Sequence, residues 1–180
     1  MKNILPLSLV CLLSPASSLA NIGNLYANTG ASLVQHDGKQ EAGYFYQVGF
    51  NQPLSRFLSV DINWHHVETL DSSVDDNSDD FAKQYDAYSV GLRVDQPVGW
   101  FSVYGKAGGS YIESETTFWN STTSSQETTK EDDIQPYASA GVSFSTPSAQ
   151  NLTIGAAIHY QWLDNGDYST SLTAGANLAF

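Results

Sequence analysis

Four histidines, His36, His65, His66 and His159, are the side chains of this sequence best suited to change charge or bind a metal near neutral pH. His36, His65 and His159 occur in stretches where apolar and polar residues alternate, and each falls on the polar side. Three separate strands would then aim imidazoles toward one opening, as a metal site or a catalytic base would require. The plainer reading is a cluster of polar side chains lining a wet opening. A second group, Asp61, Arg93 and Lys106, shares the polar phase nearer the middle of its stretches. Buried charges persist only when paired, so Asp61 and Lys106 are expected to form an internal ion network with Arg93 as second partner. Such a network either locks the interior or gates a narrow path, and the lock is the favoured reading.

Acidic segments supply a third candidate. Asp75, Asn77 and Asp79 begin a calcium loop, but such a loop next needs Gly at 80 and Glu at 86, where the chain has Asp80 and Asp86. The carboxylates of 71–86 and the run Glu131-Asp132-Asp133 are therefore expected to be solvated and to bind divalent cations only loosely. No catalytic triad, resident metal or cofactor is expected. Phe118 and Trp119, an aromatic pair in a polar stretch rich in Ser and Thr, are the best candidates for contact with a partner.

These groups need a scaffold, and composition limits what it can be. Seven Lys+Arg stand against 19 Asp+Glu, a formal net charge of −12 over 180 residues. That excludes nucleic acid as a partner, since a phosphate backbone is bound by clustered basic side chains. Residues 1–20 run from Lys2 through an apolar stretch to Ser18-Leu19-Ala20, the pattern of a cleaved signal peptide. Beyond it no window approaches the roughly 20 apolar residues of a spanning helix. The only cysteine, Cys11, lies in the leader, so no disulfide is available to the remaining domain, 21–180.

From residue 21 onward about eight period-2 stretches follow one another: 25–36, 43–51, 57–67, 84–95, 100–112, 135–145, 151–163 and a last one ending at Phe180. Short Pro-marked turns (51–56, 96–99, 146–150) alternate with connections expected to be long and acidic (37–42, 68–83, 113–134), the last being the shorter 164–167. Nearly all the negative charge therefore collects at one end. The polar face is built from Gly, Ser, Thr, Asn and Ala with few charges, unlike the charged outer face of a soluble sandwich. Small residues fit the crowded inside of a narrow barrel, and in lipid only closure satisfies every backbone N–H and C=O. Aromatics gather toward the strand ends as two girdles, with Tyr85 and Tyr137 counted in the one beside the long connections. The fold expected is all-β: a closed eight-stranded antiparallel up-and-down transmembrane β-barrel of the outer-membrane type.

At its end the chain carries Thr173, Gly175, Leu178 and terminal Phe180. With the eight strands and the leader, these residues resemble the small bacterial outer-membrane barrels of the OmpA transmembrane-domain, OmpX and Ail kind, whose last strand carries the signal for barrel assembly. The resemblance implies a bacterial outer-membrane location, both termini in the periplasm, and as partners outer-membrane lipid, lipopolysaccharide and the barrel-assembly machinery. Two enzyme families on similar barrels fit poorly. PagL-type deacylases use His-x-Ser, whereas His159 is followed two positions later by Gln161; PagP-type transferases place a helix before the barrel, and too few residues separate Ala20 from Leu25. The function expected is structural or surface-interacting, through acidic extracellular loops and an extracellular ligand. A porin-like passage and a mouth-borne site at His36, His65 and His159 are the alternatives.

Overall fold

The computed structural model describes residues 23–70, 81–120, 125–145 and 151–180. The leader at 1–20, the calcium-like segment at 75–80 and the turn at 146–150 lie outside the described residues. Eight strands follow in order: β1 (Asn24–His36), β2 (Lys39–Pro53), β3 (Leu58–Thr69), β4 (Phe81–Val98), β5 (Phe101–Asn120), β6 (Ser125–Ser145), β7 (Leu152–Trp162) and β8 (Tyr168–Ala179). Each pairs antiparallel with the next, and β8 returns to β1 to close the barrel. Closure leaves no free sheet edge in the ring.

Alternation is resolved as an inside-out molecule. Val90, Ile158 and Leu172 stand 58%, 56% and 65% exposed on the outer face, while Asp61, Ser110, Gln161 and Ser171 are fully buried in the lumen. A watery solvent would penalise such a belt of exposed apolar side chains; a hydrocarbon solvent removes the penalty. Inside, three tyrosines lie directly across a strand pair from glycine: Tyr26 from Gly49, Tyr104 from Gly141 and Tyr137 from Gly108. A Cβ at Gly49 would come within 2.5 Å of the Tyr26 ring. The glycines therefore provide the floor on which the rings lie.

Two connections differ from expectation. Residues 37–42 are no long loop: Asp37 and Gly38, both at positive φ (49° and 79°), turn β1 directly into β2. That geometry matches the twist of the flanking strands and suits an Asp-Gly pair. Residues 113–134 are mostly strand, continuing β5 and β6 into a paired hairpin whose register runs from Glu113↔Asp132 to Asn120↔Ser125. Serine and threonine content suggested a loop, but Thr alternating with charged residues pairs well across strands. The pairs Thr117 with Thr128 and Lys130 with Glu115 show it.

Candidate functional site

The lumen is layered along the barrel axis. At mid-height Lys106 Nζ on β5 donates to Asp61 Oδ2 on β3 at 2.8 Å, both side chains being almost fully buried. Asp61 Oδ1 accepts two further hydrogen bonds, from the Tyr26 hydroxyl at 3.0 Å and the Asn63 amide at 2.8 Å. Lys106 Nζ also lies 3.9 Å from the centroid of the Tyr26 ring. Because β1 and β5 face each other across an eight-strand ring, this contact spans the lumen. A carboxylate with three donors and an ammonium over an aromatic face satisfy the conditions under which buried charge persists.

Arg93 is not the second partner of this pair. Its Nε and Nη2 grip Asp95 at 2.6–3.0 Å, and its guanidinium stacks 4.0 Å over the Tyr104 ring, nearer the short-turn end. The two residues lie two apart on β4, so their side chains share the inward face. Sequence spacing placed Arg93 toward that end; its nearer carboxylate prevailed.

Above the Asp61–Lys106 pair, His65 and His159 meet with ring centroids 4.8 Å apart, enclosed by Phe45, Tyr85 and Tyr137. His65 Nδ1 contacts Asn63 Oδ1 at 3.4 Å. The third histidine does not join them. His36 Nδ1 lies 2.5 Å from Asp167 Oδ2 at the rim, where Lys83 Nζ also donates to Asp167 at 3.1 Å. Alternation assigns a face but not a height, and His36 ends β1 at its turn. Among the described residues no three His, Cys, Asp or Glu side chains group as a metal site, so the three histidines form no metal-binding triad. Burial alone would raise the Asp167 carboxyl; hydrogen bonds from His36 and Lys83, with the Lys83 charge, outweigh it and hold it below the ordinary carboxylate value.

A cluster of Val34, Phe45, Val67, Phe81, Tyr85, Ala87, Ile112 and Leu163 fills the lumen at the rim end. Tyr85 and Tyr137, expected in the outer girdle, are buried inside instead. Alternation on β4 and β6 shows why: Tyr88 and Ile134 face out, so Tyr85 and Tyr137, each three residues away on the same strand, face in. The same count would have placed Tyr26 inside from the outward Ala27. Lys83 and Asp167 gave no such signal, since both fell in stretches read as connections.

Phe118 and Trp119 are not on an exposed loop. They sit in β5, opposite Glu127 and Gln126 of β6, and both are partly covered. At the other end of the barrel, Thr173 is buried with its hydroxyl on the Ala157 carbonyl, Gly175 packs against the backbone of Ala27, and Leu178 and Phe180 face outward.

A closed eight-stranded ring with apolar residues outside and polar residues within defines a transmembrane β-barrel. The profile of the OmpA-like transmembrane domain matches residues 79–173. The chain belongs to that family, as a β-barrel of the bacterial outer membrane. Solved barrels share its architecture: Neisserial surface protein A (TM-score 0.69, 13% identity, 88% of this chain and 97% of that one); Ail, the attachment invasion locus protein of Yersinia pestis (0.56, 16%, 88% and 99%); and the N-terminal barrel of Pseudomonas aeruginosa OprF (0.55, 13%, 89% and 99%). No curated protein sequence matches.

Proposed function

We propose that this barrel acts at the cell surface, through the acidic arm formed by β4, β5 and β6. The observation that carries the reading is the length of β6. Its pairing with β7 begins at Tyr137↔Gln161, and Ser125–Pro136 pair with β5 alone. At about 3.3 Å per residue the hairpin runs on for about 40 Å beyond that point. Between residues 113 and 133 it carries six carboxylates against Lys130. On its base, His66, Asp86, Glu113 and Asp132 stand in one cross-strand row. Like charges so aligned repel, which favours a cationic partner surface or loosely held divalent cations bridging to anionic lipopolysaccharide. In this reading the arm points outward, both termini face the periplasm, and the last strand addresses the barrel-assembly machinery.

A passage through the lumen is opposed by its filling, from Asp61 and Lys106 up to the apolar cluster. Catalysis is no part of the reading either, since His159 is enclosed by rings and paired with His65. The test is binding of the lipid-nanodisc barrel to immobilised polylysine and to immobilised heparin at physiological salt. The chain should bind polylysine saturably and heparin not at all. Replacing 114–131 by Asn-Gly, which joins the paired Glu113 and Asp132, should weaken polylysine binding at least tenfold while leaving the barrel folded; unchanged binding would refute the arm as the interacting surface.

A further inference from the structure

The short-turn end, unlike the acidic arm, gathers basic side chains. A cavity of about 370 Å³ lies there, lined among others by Asn51, Ser59, Arg56, Arg93 and Asp95. Arg56 and Arg93 are the only arginines of a chain with net charge −12, and one cavity receives both. Arg93 is occupied by Asp95. Arg56 is exposed on the turn between β2 and β3, with its guanidinium 5.4 Å from the Phe57 ring and no ion pair among the described residues. That turn is held by hydrogen bonds from the Leu54 and Ser55 amides to the Leu58 carbonyl, and Asp95 N–H donates to the Phe57 carbonyl. Asn51 is 2% exposed, yet among the described residues neither its amide nitrogen nor its oxygen has a hydrogen-bond partner. Buried side-chain amides are nearly always satisfied, so an unsatisfied donor and acceptor belong to a residue lining the same cavity as two arginines.

We propose that this vestibule binds a small oxyanion bearing a hydroxyl group, either hydrogen phosphate or a hydroxycarboxylate. Arg56 supplies the unneutralised charge, with a planar fork suited to carboxylate or phosphate oxygens. The Asn51 amide donates to the anion and its carbonyl accepts from the hydroxyl, which separates this class from simple carboxylates. The lumen above is filled by Tyr26, Asp61 and Lys106, so the ligand lodges at the mouth instead of passing through. The site does not depend on the role of the arm.

Calorimetric titration of the full chain in uncharged detergent tests this, with inorganic phosphate, glycolate and acetate as probes. Saturable binding of phosphate or glycolate, at least tenfold stronger than of acetate, is expected; whichever of the two binds identifies the source of the anion. Arg56→Gln should weaken binding at least tenfold, whereas Lys130→Gln on the distant arm should leave it unchanged. Asn51→Asp, nearly isosteric but anionic, should abolish it. Should Asn51→Asp fail to fold, Arg56→Gln decides alone, since its side chain is on an exposed turn. Absence of saturable binding by both hydroxyl-bearing probes, or equal binding by Arg56→Gln, overturns the proposal.

Discussion

Asp61 is the residue on which the interior depends most, because it holds a full charge in a fully buried position. Removing its ammonium partner with Lys106→Ala leaves that charge uncompensated, and destabilisation of about 3–5 kcal/mol is expected. The double variant Asp61→Asn with Lys106→Met keeps an acceptor for Tyr26 and Asn63 and removes both charges; it should recover at least half of the loss. Urea midpoints of the refolded barrels measure both. At the rim, Asp167 gives a pH signature. Its folded-state carboxyl is held below the ordinary carboxylate value by His36 and Lys83 against the effect of burial, so its contribution is complete above that value and lost as pH falls through the lowered one. Wild type should therefore lose stability on acidification below about pH 4 more steeply than Asp167→Asn.

At the scale of the strand, the cross-strand tyrosine and glycine pairs decide how densely the lumen packs. A Cβ at Gly108 would lie 2.2 Å from the Val90 carbonyl oxygen and 2.9 Å from the Tyr137 ring. Backbone cannot yield as a flexible side chain can, so Gly108→Ala should destabilise the barrel by about 1–3 kcal/mol, the range for overpacking. Gly109, next in β5, has nothing among the described residues within 4 Å of its would-be Cβ, and Gly109→Ala is expected to shift the midpoint far less. The comparison separates crowding from loss of glycine flexibility. The outcome also bears on the histidine pair, since Tyr137 stacks on His159.

For the whole molecule, the filled lumen and the projecting arm make opposite demands on function. An eight-stranded ring encloses only enough space for side chains, and here they occupy it with Asp61, Lys106, the two histidines and an apolar cluster. The full chain in planar bilayers should therefore be electrically silent, and Lys106→Ala should not open it. Discrete conductance steps altered by that substitution would restore the passage reading and make the internal charges a gate. Cutting back the arm should leave this silence and the folded barrel intact, because the β4–β5 and β5–β6 pairing within the ring remains below Glu113.

Strand number, closure and the facing of most side chains were legible in the sequence, because period-2 alternation reports the two faces of a strand directly. It placed Asp61, Lys106, His65 and His159 inside. Height along the axis and reach across the lumen were not legible, because they depend on register between strands and on the shear of the closed ring. Those decided that Tyr26 crosses the lumen to Asp61, that Asp95 takes Arg93, and that His36 stays at the rim with Asp167. Loop or strand at 113–134 was likewise settled by pairing: the same Thr- and Glu-rich residues become a hairpin once a partner strand lies alongside. The placing of Asn51 with Arg56 and Arg93 belongs wholly to the tertiary structure, since it takes neighbouring strands and a turn from distant parts of the chain to bring them to one cavity.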